Sequence, residues 1–185
     1  HGIRLEWAIG RCGRLARLVH NLIETTRLET GVAQLKKEPY PIEDVIGTAL
    51  ARLNKPLAGR KVESDLPENL PLVALDPILI ELVFVNLIEN ALRHAPGDSP
   101  LEISARERMD FIEISVADRG PGLAAADLDL IFEKFYRANK AAGGAGLGLA
   151  ICKAVAAAHG GTICAENRPG GGSVFRLTLP RREAP

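Results

Sequence analysis

The sequence is poor in features that would hold or anchor a protein by anything other than its own core. Among 185 residues there are three cysteines, Cys12, Cys152 and Cys164. They are odd in number, far apart and never spaced as CxxC. That excludes a disulfide framework or a zinc knuckle and marks free thiols of a reducing compartment. At this length roughly 70% of the unfolded surface can be buried, so a core needs neither disulfide nor metal. Excess charge is missing too: Lys plus Arg and Asp plus Glu number 23 each. Bulk association with nucleic acid, which counterion release drives, is therefore not expected. A local basic patch around a small phosphate ligand stays open. No apolar run nears the ~18 residues of a membrane span and no signal peptide is visible, so no direct membrane contact is expected of these residues. There is no GxxxxGK[ST] P-loop and no GxGxxG placed after a first strand. The chain also lacks an initial methionine; beginning at His1, it is expected to be a fragment of something longer.

What the sequence does have is the stretch Leu82-Val-Phe-Val-Asn-Leu-Ile-Glu-Asn-Ala-Leu-Arg-His-Ala95. Its pattern predicts a helix that is apolar on most of its surface, with one polar stripe. Asn86 and Asn90 are four apart and share a face, which Arg93 and His94 continue one turn on. A buried Asn without partners costs roughly 1–3 kcal/mol. Two in line, on a helix fit for a core, point to a site that binds something polar. Asp76 suits the N-cap and Pro77 the first helical position. Leu75 and Ile80 can form a hydrophobic staple, and Pro96-Gly97 ends the helix.

Other elements follow from periodicity. Residues 3 to about 30 are helical in pattern, with Leu15, Leu18, Val19, Leu22, Thr25, Thr26 and Leu28 near a heptad seam and Gly31 as a C-cap. Val32–Pro41 reads as a connector and Ile42–Leu57 as a second helix. Lys61–Leu66 and Leu72–Leu75 are short strands. Leu101–Arg106 and Phe111–Ala117 alternate as an antiparallel pair. Leu123 to Ala145 is irregular, with a short helix near Ala126–Ile131, then Phe132-Glu-Lys-Phe-Tyr-Arg137, then small residues suited to a lid. Gly146–Ala158 is the next helix, His159-Gly160-Gly161 a turn, and Thr162–Glu166 and Ser173–Leu179 the last strands. The sum is an α+β chain with helices on one face of a mostly antiparallel sheet.

Two glycine clusters follow the Asn helix. Asp118-x-Gly120-x-Gly122 comes straight after a strand, where a fixed carboxylate can accept from an amine-bearing ring and glycine lets a flat ligand approach. Gly144-x-Gly146-Leu-Gly148 enters a helix, whose first N–H groups make an anion site. Either cluster alone reads more readily as a turn and nothing more.

Taken together, Asn86…Asn90, Asp118-x-Gly-x-Gly122, Phe132…Phe135 and Gly144-x-Gly-x-Gly-Leu149 resemble the N, G1, F and G2 boxes of the histidine-kinase catalytic domain. That is a Bergerat-type ATP-binding fold shared with DNA gyrase and Hsp90. The resemblance covers about residues 40–180. Residues 12–40, from Arg14-Leu-Ala-Arg-Leu-Val-His-Asn-Leu-Ile-Glu-Thr-Thr-Arg-Leu-Glu-Thr-Gly31, resemble the end of the dimerisation domain in such kinases. Three runs, Arg17-Leu-Val-x-Asn-Leu22, Phe135-x-Arg-x-Asn-Lys140 and Gly160-Gly-Thr-Ile-x-Ala-x-Asn-Arg-Pro169, look closest to one branch of the family.

The resemblance implies a two-layer α/β sandwich with about five strands and three helices, preceded by a partial dimerisation helix. Residues 1–31 would be the truncated end of the dimerisation domain, 32–41 a linker and 42–181 the catalytic domain. It implies ATP and Mg²⁺ as ligands. Asp118 would accept from the adenine amino group, with Gly120 and Gly122 shaping that pocket and Ser173 bonding near it. Asn90 would give a side-chain oxygen to Mg²⁺, supported by Asn86. Arg93 would reach a phosphate and His94 would lie against the nucleotide. Gly144, Gly146, Leu147 and Gly148 would cradle phosphates, and Lys134, Arg137 and Lys140 in the lid could meet them. Plainer readings stand beside these: a backbone contact for Asn86, a surface position for His94, a solvated charge face for Lys134 and Arg137, and core packing for Phe132, Phe135 and Tyr136.

Where hydrolytic relatives hold a water-activating Glu, Asn86 stands, and an amide cannot act as a general base. The implied reaction is phosphoryl transfer to a histidine, then to the aspartate of a response regulator receiver domain, within a homodimer. The implied location is the cytoplasmic part of a bacterial inner-membrane sensor. No acceptor motif is present and His20 lacks its context, so this chain is expected to bind nucleotide without phosphorylating itself. A Ser/Thr kinase of the anti-sigma type and a nucleotide-sensing scaffold are the rival readings.

Overall fold

The computed structural model describes residues 35–139 and 145–181, with Ile23 and Thr26 besides, both helical. The rest of the stretch 1–34, Lys140, Gly144 with its neighbours 141–143, and the tail 182–185 lie outside the described residues. Expectations placed there, including the division at residue 31 and the seam around Leu15–Leu28, lie outside with them.

The described elements run β1 (Glu38–Tyr40), α1 (Ile42–Arg52), β2 (Val62–Asp65), β3 (Val73–Leu75), α2 (Pro77–His94), β4 (Leu101–Glu107), β5 (Phe111–Ala117), α3 (Gly148–Ala158), β6 (Thr162–Asn167) and β7 (Ser173–Pro180). Five strands form one sheet in the order β2-β4-β5-β7-β6. Only the β2–β4 pair is parallel; the other three are antiparallel. Strand alternation sorts the two faces. Leu101, Ile103 and Ala105, Ile112, Ile114 and Val116, and Phe175, Leu177 and Leu179 point inward and are buried. The register stacks them across strands, Ile103 on Val116 and Val116 on Phe175. Glu102, Arg106, Glu113 and Arg176 project from the opposite face, where they pair with one another and with Asp65, Arg119, Arg168 and Glu166.

Helix α2 packs on both α1 and α3. Its buried stripe is Ile80, Val83, Phe84, Val85, Leu87, Ile88 and Ala91. The result is the α+β two-layer sandwich, a five-stranded sheet with three α-helices on one face.

The structure differs from the sequence reading at several boundaries. The connector before Pro41 contains β1, which pairs antiparallel with β3 in a separate two-stranded ribbon. Pro39 conceals it, yet an edge strand tolerates proline because its N–H side needs no partner. Helix α1 stops at Arg52, not Leu57. Pro56 disfavours helical geometry at Lys55 and would meet the carbonyl of Arg52. The expected helix near 126–131 is two 3₁₀ turns, Ala125–Asp127 and Leu130–Phe132. Helix α3 begins at Gly148 rather than Gly146, because Gly146 has a φ of 70°.

Candidate functional site

The polar end of α2 forms one wall of a cavity, and both ends of the helix are pinned. At its start, Asp76 Oδ1 accepts from the N–H groups of Ile78 (3.1 Å) and Leu79 (3.3 Å). Its backbone N–H donates to Nε2 of the buried His159 at 3.0 Å, while Nδ1 of that ring faces the Val155 carbonyl at 2.8 Å. His159 therefore carries its proton on Nδ1, and burial lowers its pKa. At the other end, the guanidinium of Arg60 reaches the carbonyls of Ala91 (3.5 Å), Ala95 (3.1 Å) and Pro96. A cation there satisfies the last carbonyls and suits the helix dipole.

The cavity holds about 800 Å³ including its open mouth. Asn90, Arg93 and His94 face it from α2, and Asp118, Pro121, Gly122 and Leu123 from the loop after β5. Ile131, Leu149 and Phe175 add apolar lining, Ser173 lines the cavity beside Asp118, and Tyr136 to Asn139 complete the lining. Asp118 is 2% exposed. Its Oδ1 accepts from Gly120 N–H (2.7 Å) and Ser173 N–H (3.4 Å), and its Oδ2 from Ser173 Oγ (2.6 Å). A carboxylate has about four lone-pair positions, so one on Oδ2 is left over. Gly120 has no room for a side chain, since a Cβ there would sit 2.9 Å from Asp118 Oδ1 and 3.0 Å from the His94 carbonyl. His94 has its pKa lowered, first by burial and then by Arg93, against a smaller opposite pull from Asp118. Burial thus favours its neutral form.

The connection 124–139 meets the core through Phe132, whose ring packs edge-on to Phe175 with centroids 6.4 Å apart. Tyr136 donates its hydroxyl to Asp127 at 2.5 Å. Phe135 does not pack as expected: it is 62% exposed and has a φ of 65°. Its N–H donates to the Gly146 carbonyl at 2.8 Å, and that left-handed turn throws the ring outward. Gly146 lies so close beneath that a Cβ would meet the Tyr136 carbonyl at 2.6 Å.

The cavity thus brings together Asn90, Arg93, His94, Asp118, Gly122, Arg137 and Ser173 from the sequence candidates. Gly120 is not among the lining residues. Asn86, Lys134, Gly146, Leu147 and Gly148 are outside its lining. Asn86 donates Nδ2 to the Leu82 carbonyl at 2.8 Å, and its Oδ1 abuts Gly148, where a Cβ would be 2.7 Å away. Leu147 is 4% exposed and belongs to the core. Gly144 lies outside the described residues. The sequence reading passed over Leu123, Tyr136, Leu149 and Phe175 as cavity residues. Leu149 adjoins Gly148 at the helix entry, which is a usable signal; Leu123 and Phe175 carry none beyond apolarity.

Residues 75–183 match the family described as "Histidine kinase-, DNA gyrase B-, and HSP90-like ATPase". The chain is 44% identical over 171 residues to sensor protein KdpD of Escherichia coli (strain K12), covering 91% of this chain and 19% of that protein. It therefore spans about a fifth of that relative's length. Histidine kinase AdeS of Acinetobacter baumannii superposes with a TM-score of 0.83 at 27% identity, over 99% of this chain and 86% of that one. Full-length ShkA in complex with AMPPNP superposes with a TM-score of 0.79 at 27% identity, over 90% and 35%.

Proposed function

We infer the function from one premise: the chain belongs to the histidine kinase-, DNA gyrase B-, and HSP90-like ATPase family, as the ATPase-type catalytic domain of a sensor histidine kinase. On that premise it binds ATP between α2 and the loop 118–123. In the whole protein it presents the γ-phosphate to a histidine, from which the phosphoryl group passes to an aspartate of a response regulator. The full protein would work as a homodimer, with residues 1–31 ending its dimerisation helices and 42–181 forming the catalytic domain.

The observation that carries this reading is Asp118. A carboxylate 2% exposed, with three donors on it and a place in the lining of the cavity, has capacity for one more hydrogen. An adenine amino group supplies it. Leu149, Ile131 and Phe175 offer apolar contact for a flat ring, and neutral His94 adds no charge beside it. Arg93 and Arg137, which line the cavity, would meet phosphate oxygens. The N–H groups at the start of α3, with Gly144, Gly146 and Gly148, would cradle the phosphates.

The donors fit a Mg²⁺ carried by the nucleotide. Mg²⁺ keeps several waters, takes phosphate oxygens and asks the protein for one or two oxygens. The Asn90 side-chain oxygen would supply one, and the ion would offset phosphate charge. Among the described residues no group of three or more His, Cys, Asp or Glu could hold a metal alone. Asn86 cannot take a proton from water, and its amide nitrogen donates to the Leu82 carbonyl. This supports slow hydrolysis and transfer to an outside nucleophile, a reaction made mostly of positioning and charge stabilisation.

The test is calorimetry of ATP binding to this chain with and without Mg²⁺. Micromolar, Mg²⁺-sensitive binding with negligible hydrolysis is expected. Asp118→Asn should weaken ATP at least about tenfold, one lost charged hydrogen bond; unchanged affinity means the adenine contact is misassigned. Asn90→Ala should abolish the Mg²⁺ dependence, and a variant that keeps it moves the metal elsewhere.

A further inference from the structure

The run Gly160-Gly-Thr-Ile-Cys-Ala-Glu-Asn-Arg-Pro169 ends in two side chains that leave their own strand and hold the loop bearing Asp118. Asn167, at the end of β6, sets its carboxamide against the backbone of Leu123. Its Oδ1 accepts from Leu123 N–H at 2.8 Å and its Nδ2 donates to the Leu123 carbonyl at 2.7 Å. The side chain does for Leu123 what a neighbouring strand would do, across 44 residues of sequence. Gly122 makes room for it: a Cβ there would lie 2.8 Å from Asn167 Oδ1. Arg168 takes the other end of the loop. Its Nη1 donates to the Asp118 carbonyl at 3.4 Å, and its fork grips Glu102 of β4 at 3.0 and 2.7 Å. Glu102 also receives Arg119, the residue after Asp118, at 3.1 and 2.9 Å. The loop is therefore tied at Leu123 by Asn167, at Asp118 by Arg168 and at Arg119 by Glu102, and neither Asn167 nor Arg168 lines the cavity.

Adenine and guanine differ at the atom a carboxylate would read. Adenine carries an amino donor there and guanine a carbonyl oxygen. Rejecting guanine requires that Asp118 cannot retreat, because specificity comes from a group held where the wrong ligand leaves it unpaired or repelled. We propose that Asn167 and Arg168 are positioning residues for base selection, clasping the loop 118–123 so that Asp118 discriminates adenine from guanine nucleotides. This rests on the reading of the cavity as an adenine-nucleotide site.

The experiment compares the chain with Asn167→Asp, Asn167→Ala and Arg168→Lys, using calorimetry with Mg²⁺-ATP and Mg²⁺-GTP. Amide exchange at residues 118–123 is followed without nucleotide. Asn167→Asp keeps the acceptor for Leu123 N–H and turns a carboxylate oxygen on the Leu123 carbonyl. Arg168→Lys keeps the charge and loses the two-pronged grip, and serves if the Asn167 variants fold poorly. The expected result is faster exchange at Leu123 in Asn167→Ala, faster exchange elsewhere in 118–123 in Arg168→Lys, and in every variant an ATP-to-GTP affinity ratio lowered about tenfold, the effect of one or two backbone hydrogen bonds. Faster exchange with an unmoved ratio overturns the role in base selection while leaving the ATP reading intact. Unchanged exchange overturns the clasp itself. An unsubstituted chain that binds neither nucleotide overturns the functional reading, and the role of Asn167 and Arg168 with it.

Discussion

Ser173 gives Asp118 two of its three donors, its N–H and its hydroxyl, from 55 residues away. Ser173→Ala removes the hydroxyl and leaves Oδ2 of a buried carboxylate short of a partner. A hydrogen bond to a charged group is worth about 1.5–3 kcal/mol. The variant should lose about that much in a urea unfolding curve, while Ser173→Thr, which keeps the hydroxyl, should lose far less. Equal losses in the two would mean that packing, not the hydroxyl, matters at this position. Phe135 poses the opposite case. Its φ of 65° is unfavourable for a residue with a Cβ, by roughly 1–2 kcal/mol, and its ring is exposed. Phe135→Gly relieves the strain and removes little packing, so the melting temperature should stay level or rise. A fall of several degrees would show that the ring packs in solution.

Helix α2 is secured by residues outside it, and this sets two expectations for elements. Arg60 is the cap of its C-terminal end. Arg60→Ala leaves the carbonyls of Ala91 and Ala95 without that cation, at a cost of about 1 kcal/mol by thermal or chemical unfolding. His159 joins the end of α3 to the start of α2 as a neutral imidazole, since Nε2 must accept from Asp76 N–H. Lys37 and Asp76 are the charges that act on it, in opposite directions, and burial outweighs both. Its folded pKa lies below the usual value of 6.5. Between the two values the unfolded chain binds more protons, so stability is complete above about pH 6.5 and falls as pH falls toward the folded pKa. The slope from this group is at most about 1.4 kcal/mol per pH unit. His159→Gln keeps an acceptor within reach of Asp76 and has nothing to titrate. Its unfolding midpoint should change less between pH 7 and 5.5 than that of the parent chain; parallel curves would remove His159 as the cause.

For the molecule as a whole, ligand binding and stability are linked. ATP that binds only the folded chain should stabilise it by about 2.7 kcal/mol at a hundredfold excess over Kd, raising the melting temperature by roughly 5–10 °C. No rise with Mg²⁺-ATP would count against a nucleotide site in this chain. The sequence by itself determined whatever depends on neighbours in the chain. The period of Leu82–Ala95 dictated a helix, Asp76-Pro77 dictated its start, and alternation in 101–106, 111–117 and 173–179 dictated strands with one buried face. The positions of Asn90, Asp118 and the glycines were legible for the same reason, because spacing puts them at a helix face, a strand end and a tight turn. Tertiary structure alone decided which of them share a cavity. Asn86 has the right spacing yet turns its amide to Leu82 and Gly148, since α3 packs there. Leu123, Phe175 and Ser173 reach the cavity only after the β5–β7 pairing is made. His159 finds Asp76 across 83 residues and Asn167 finds Leu123 across 44. Such partners leave no periodic trace, because a hydrogen bond is chosen by distance in the fold and not by distance along the chain.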